Sequence, residues 1–199
     1  MKKNNKTVRI KLYNNAILQL KQKEISLLKN MSVTGSCTQT LIREKIGEKR
    51  LCYLCNVGIF TREKTHKKEI DGKIVNRYAY SLGDIGQKFV LDNEFCFKIQ
   101  GHNGYAHTEK MERVVEDLIE NQKIDIKNIY NEKEQLDIFK KEIYQAKKDK
   151  IDFRVNDIAY KNKNDTWESI EITTSNYGKK LNEKHSNYAT VIGANYTKK

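Results

Sequence analysis

The order of apolar and polar positions divides the chain into modules of different rhythm. From Asn15 to Met31 the apolar residues Ile17, Leu18, Leu20, Ile25, Leu27, Leu28 and Met31 recur at roughly helical spacing, which predicts one long helix or two short ones. "TGSCTQTLIREKIG" opens on the capping residues Thr34 and Ser36 and closes on Gly47, the start and stop signals of a short helix. In "EKRLCYLCNVG" the residues Leu51, Leu54, Cys55 and Val57 share one helical side, and Gly58 stops the helix. The period then becomes alternating. "IFTREKTH" and "KIVNRYAYSL" flank "KKEIDGK", where Asp71-Gly72 suits a tight hairpin turn because both positions tolerate positive φ. "YSLGDIGQKFVLDN" closes the module, with Gly83 and Gly86 marking a turn into another short helix.

"EFCFKIQGHNG", with Gly101 and Gly104, reads as a linker. Helical spacing resumes in "YAHTEKMERVVEDLIEN" through Met111, Val114, Val115, Leu118 and Ile119, opposite a polar face of Glu109, Glu112, Glu116 and Glu120. "NEKEQLDIFKKEIYQAKKDK" is a second helical piece, with Leu136, Phe139, Ile143 and Tyr144 on one side and a basic end that suits a helix C-terminus. Strand-like runs lie between and after: "KIDIKNIY", "IDFRVNDIAYK" and "WESIEITTS". "GKKLNEKHSNYATVIGANY" offers a closing helix and one further strand. Together these elements define an α+β protein. Helices followed by a hairpin give the order of a winged helix-turn-helix over residues 1–92; residues 93–104 are the linker, and residues 105–199 form a small α/β domain with the element order of a PD-(D/E)xK nuclease.

Charge sharpens the first assignment. The 199 residues carry a net charge of +12, and the first 90 hold 19 Lys and Arg against 7 Asp and Glu, whereas the remainder holds 19 of each. Such segregation fits a surface that displaces counterions from a phosphate backbone, so double-stranded DNA is the expected partner. In a winged helix the third helix enters the major groove and the hairpin straddles a phosphate ridge or minor groove. The candidate contacts are Gln39, Arg43, Lys45, Lys49, Arg50 and Tyr53 near the groove, with Lys64, Lys67, Lys68, Lys73 and Arg77 along the hairpin. A paired site one helical turn apart would imply a homodimer. No apolar run approaches a membrane span and "MKKNNKTVRI" lacks the core of a signal peptide, so the expected setting is the cytoplasm, with no membrane partner. The cysteines at 37, 52, 55 and 96 are expected as reduced thiols. Cys52-x-x-Cys55 is expected to pack as a small buried pair, since no further ligands complete a zinc site.

The second half carries a different chemistry. A PD-(D/E)xK nuclease needs carboxylates on two neighbouring strands, about 10 to 20 residues apart, to hold Mg²⁺ beside the scissile phosphate, with a lysine that orients water. Asp152 or Asp157 together with Glu171 meets the spacing, and Glu112 on the preceding helix is a third acid. The lysine position holds Thr173; Lys179 or Lys180 could approach from the next helix. The expected reading is a nuclease-like scaffold without nuclease activity and without a cofactor. Mg²⁺ would be required only if catalysis survives.

"KRLCYLCNVGIFTREK", "RYAYSLGDIGQKFV", the helix opened by His107, "IDFRVNDIAY" and "IEITTSNYGKK" resemble, over roughly residues 35 to 195, the replication-relaxation proteins of Gram-positive mobile elements. Their late strand tends toward Glu-Val-x-Thr-x-Asn-Tyr, matched here by Glu171, Thr173, Asn176 and Tyr177. The resemblance implies a winged helix followed by a nuclease-like domain, an ordinary threonine at position 173, and a role near plasmid replication or conjugation. Three functions follow as expectations. One is a DNA-binding accessory protein of a plasmid, conjugative element or phage; another is a divergent Mg²⁺-dependent DNA endonuclease. The third is an adaptor or inhibitor that binds a replication protein, a relaxase or a host defence nuclease through the neutral half.

Overall fold

The computed structural model describes residues 8–12, 16–70, 73–93, 104–174 and 178–199, and only the backbone of residues 64–70 and 73–75. The protein is mixed α+β and divides into two compact units, Met1–Glu112 and Arg113–Lys199. No helix among the described residues is long and apolar enough to cross a membrane.

The first unit begins with an antiparallel hairpin of β1 (Val8–Lys11) and β2 (Ile17–Leu20). Here the expected helix from Asn15 onward is corrected: "ILQL" also alternates, and β2 buries Leu18 and Leu20 while Ile17 and Gln19 face outward. Only α1 (Gln22–Thr34) is helical, ending at Gly35 with φ 76°, whose N–H donates to the Met31 carbonyl at 2.9 Å. β3 (Ser36–Thr38) follows, so Ser36 is a strand residue rather than a cap, and α2 (Gln39–Lys45) starts after Thr38. α3 (Glu48–Asn56), β4 (Phe60–Ile70), β5 (Lys73–Leu82) and α4 (Asp84–Asp92) complete the sequence of elements.

The three strands form an antiparallel sheet in the order β3-β5-β4, with a bulge in β4 between Lys64 and His66. Helices α1 to α4 close over one core in which Leu20, Leu28, Met31, Ile42, Leu54, Ile59 and Val90 are fully buried. Each such side chain contributes about 1.5–3 kcal/mol of transfer free energy, which is what holds the four helices to a three-stranded sheet. α4 approaches the Gly58 turn most closely through backbone atoms, with the Ile85 side chain lying against Gly58. Gly58 O accepts the Ile85 N–H at 3.0 Å, and a Cβ on Gly86 would stand 2.2 Å from Ile59 O, one on Gly83 2.4 Å from Gly58 O.

The sequence places a domain boundary at residues 93–104, but the compact units divide later, inside α5 (Tyr105–Glu116). The reason is the start of that helix. The Tyr105 hydroxyl accepts the Thr40 N–H at 3.2 Å and hydrogen-bonds the Thr40 hydroxyl at 2.8 Å, and its ring lies 4.8 Å from the Arg77 guanidinium, which binds the first turns of α5 to the basic unit. Residues 94–103, including Cys96 and Gly101, lie outside the described residues, as does the Asp71-Gly72 turn.

In the second unit a π-turn (Asp117–Asn121) and a 3-10 turn (Ile126–Asn128) precede β6 (Ile129–Asn131), the only paired part of "KIDIKNIY". The expected single helix from Asn131 breaks at Phe139 into α6 (Glu132–Ile138) and α7 (Lys140–Lys148). Asn131 caps α6 reciprocally: its Oδ1 accepts the Glu134 N–H at 3.0 Å and Glu134 Oε2 accepts the Asn131 N–H at 2.9 Å. The break re-aims the apolar side, so Phe139 and Ile143 are buried while Leu136 and Tyr144 are exposed. β7 (Ile158–Lys161), β8 (Trp167–Glu171), α8 (Lys179–Val191) and β9 (Asn195–Lys198) follow. The sheet order is β6-β7-β8-β9, antiparallel except for the parallel pair β8 and β9 that α8 connects. Phe139, Ile143, Ala159, Tyr188 and Ile192 form a core cluster, closed by Trp167 packed edge-on to Phe139 at 4.8 Å.

Candidate functional site

The cations of the first unit separate into structural and available groups. Arg50 is structural, against expectation. Its Nε and Nη2 donate to Oε1 and Oε2 of the buried Glu24 at 2.8 and 3.0 Å, Nη2 also donates to Gln19 O at 2.6 Å, and Glu24 Oε2 further accepts the Lys21 N–H at 2.8 Å. The hydrogen bond to Glu24 raises the Arg50 pKa above its ordinary value. Arg50 thus fastens α3 to α1 and β2 and is not offered to a groove.

Arg77 is also engaged, stacked on Tyr105. Arg43 pairs with Glu48 through Nε at 2.6 Å and Nη2 at 3.0 Å; with the amide oxygen of Gln39 turned toward it, Gln39 accepts from Nη1 and Nη2 at 2.9 and 2.7 Å. Both members of the Arg43–Glu48 pair are about half exposed, and such surface pairs contribute about 0–1 kcal/mol, so a phosphate can compete for Arg43. Lys49, Cys52, Tyr53 and Asn56 occupy the solvent-facing side of α3. Cys52 is therefore not a buried packing residue; only Cys55 is half-buried against the core, and burial pushes its thiol pKa up. Lys45 is half-buried. The backbones of Lys64, Lys67, Lys68 and Lys73 belong to β4 and β5, and their side chains lie outside the described residues.

Of the expected acids, the structure joins Asp157 and Glu171. Ile158 pairs with Ile170 across β7 and β8, which sets Asp157 opposite Glu171. Asp157 Oδ2 accepts the Ile172 N–H at 2.8 Å, and Glu171 Oε2 lies 3.3 Å from the Asp157 N–H. Asp152 is directed elsewhere: its carboxylate pairs with Lys184 at 2.9 Å and its carbonyl accepts from Asn187 at 3.0 Å. Glu112 is buried in the first unit. Thr173, in the lysine position, donates through Oγ1 to Lys199 O at 2.9 Å. Lys179 and Lys180 are exposed in the first turn of α8, and Asn176 and Tyr177 lie outside the described residues.

Behind the acidic pair lies a polar network that spacing arguments miss. Asn156 is fully buried. Its Nδ2 donates to Ser169 Oγ at 2.7 Å and to His185 O at 3.3 Å, and its carbonyl accepts from Gln135 Nε2 at 2.9 Å. His185 Nδ1 faces Asn156 Oδ1 at 2.7 Å and Glu171 Oε2 at 3.2 Å. Both neighbours are acceptors, so Nδ1 carries the hydrogen of the neutral ring. Burial lowers the His185 pKa to about 4, and Arg154 adds to the effect. The members come from residues 135, 156, 169, 171 and 185, on four separate segments, and no local motif announces them.

This donor arrangement does not suit Mg²⁺. The ion requires near-octahedral oxygen ligands at about 2.0–2.1 Å, several of them water. Here Glu171 is buried, with an imidazole N–H and a backbone N–H directed at one of its oxygens, and Asp157 holds a backbone N–H of its own. Among the described residues no group of three or more His, Cys, Asp or Glu side chains is arranged to hold a metal. Comparison with protein-family models, curated proteins and solved structures returns no match for this chain.

Proposed function

We propose that this protein binds double-stranded DNA through a winged helix in its first unit and carries a nuclease-like second unit without nuclease chemistry. The reading extends to an accessory or regulatory role in a plasmid, conjugative element or phage, which rests on the resemblance to replication-relaxation proteins. The observation that carries DNA binding is α3, whose outward face bears Lys49 and Tyr53, with the solvent-exposed Arg43–Glu48 pair at its start, in the half of the sequence that holds the whole charge excess. The element order β3-α2-α3-β4-β5 with sheet order β3-β5-β4 supports the winged-helix assignment. The nuclease-like assignment draws on three antiparallel strands, a crossover helix and a parallel fourth strand, with Asp157 opposite Glu171. The in-chain donors on that pair support the absence of cleavage.

Footprinting on duplex DNA from the gene's own neighbourhood tests the reading. Six to eight phosphate contacts give a log–log salt slope of about −5 to −7. Lys49→Ala and Tyr53→Ala weaken the protected site, by about 1–3 kcal/mol if Lys49 reads a base edge. No duplex binding at low salt would remove the proposal. Incubation of plasmid with Mg²⁺ or Mn²⁺ leaves it intact; metal-dependent nicking that Glu171→Gln abolishes would restore the endonuclease reading.

A further inference from the structure

α7 carries a feature that neither DNA binding by the first unit nor the acidic pair explains. Tyr144 is 60% exposed, and its four nearest neighbours on the helix surface, three and four residues before and after it, are Lys140, Lys141, Lys147 and Lys148. All four lysines are exposed, and Lys148 Nζ stands 4.7 Å from the Tyr144 ring centroid. The opposite side of the helix buries Ile143 and Ala146. Its one acid, Glu142, lies off this stripe, as does Asp149 just beyond, which accepts from Gln145 at 3.0 and 3.1 Å.

Helix stability does not account for the pattern. Lys147 and Lys148 complement the dipole at the C-terminal turn, but Lys140 and Lys141 stand in the N-terminal turn, where a cation is unfavourable. A solvated face needs no such clustering of one sign around an aromatic ring. A cationic helix that lies on a lipid surface would leave its apolar side open for insertion, whereas this one has it in the core. The two lysine pairs are separated by seven residues, about 10 Å along the helix, so they flank the Tyr144 ring on both sides along its length.

The geometry points to this face of α7 as a binding site for an unpaired nucleic-acid strand, with the lysines on the phosphates that flank a base stacked on Tyr144. The charge neutrality of the second half in sequence conceals the site, because Glu142 and Asp149 lie off the Tyr144 stripe and the other acids of that half lie outside α7. The site does not depend on duplex recognition by the first unit.

The test uses the full chain, a labelled 20-nucleotide oligo-dT and a labelled duplex, with fluorescence anisotropy across a salt series. The variant Lys140→Gln, Lys141→Gln, Lys147→Gln, Lys148→Gln is expected to flatten the oligo-dT log–log slope by about 2 to 3, given about 0.7 per phosphate on single strands. Tyr144→Ala alone is expected to weaken oligo-dT about tenfold with an unchanged slope. Lys49→Gln should affect the duplex and spare oligo-dT. An unaltered oligo-dT isotherm in both α7 variants overturns the site while leaving duplex binding standing. A loss confined to polyglutamate or to phosphatidylserine vesicles reassigns the face to an acidic peptide or a membrane, and also overturns it. Oligo-dT binding through α7 in a protein indifferent to duplex would uphold the site and remove the duplex reading.

Discussion

Replacing Arg50 by alanine lowers the stability of the protein by about 2–3 kcal/mol, because the Glu24 carboxylate then remains buried without its cation. Breaking a buried pair from one side costs about 3–5 kcal/mol in general, and the figure is reduced here because nearly a third of the Arg50 side chain meets solvent. The decisive comparison is a double variant. Arg50→Met with Glu24→Met removes both charges and retains the volume, and such replacements are often neutral, so it is expected to recover most of the loss. Chemical denaturation of the three variants measures this. If Arg50→Ala leaves stability unchanged but weakens DNA binding, the pair is not the fastening of α3 that its geometry indicates.

A loss of about 3–4 kcal/mol is expected for Asn156→Ala. That side chain bonds Ser169 Oγ, His185 Nδ1 and the His185 carbonyl, and its removal leaves several buried groups unsatisfied at about 1–3 kcal/mol each. The same network makes stability depend on pH. His185 is protonated only near pH 4 in the folded chain, while in the unfolded chain it takes up a proton near 6.5. The unfolded state therefore binds more protons between those values. The stability that burial of the neutral ring allows is complete above about pH 6.5 and falls by about 3 kcal/mol as the pH is lowered through 4. His185→Gln is expected to remove this component. A variant with the same slope of stability against pH as the original chain would show that another group is responsible.

Element types were largely legible in the sequence, because helix and strand periods are local. α3, the β4–β5 hairpin, α4, α8 and the late strands follow from spacing and from Gly58, Gly83 and Gly86. Short apolar runs were ambiguous, as in "ILQL", which fits both a helical stripe and an alternating strand; pairing with β1 decides it. Long helical patterns concealed the break at Phe139, since nothing in "DIFKKE" marks it. The division of the cations was illegible for a different reason. Arg50 and Lys49 are adjacent and equally charged, and only Glu24, 26 residues earlier, distinguishes a tether from an exposed contact. The acidic pair was legible as a spacing, but Asp152 and Asp157 could not be separated until the register of β7 against β8 placed one of them opposite Glu171.

The close approach of α4 to the Gly58 turn bears on how kinship to this protein should be sought. Its closest approaches, at Gly83 and Gly86, are backbone to backbone, so drift in lysines or core volumes does not repair a change at those two positions. A distant cousin with a wholly different exterior can still share the architecture, but a residue larger than glycine at 83 or 86 would push the helix off its seat. The pair of glycines three apart, set just after a hairpin, is therefore a better signature for tracing descent than the charges that first draw the eye.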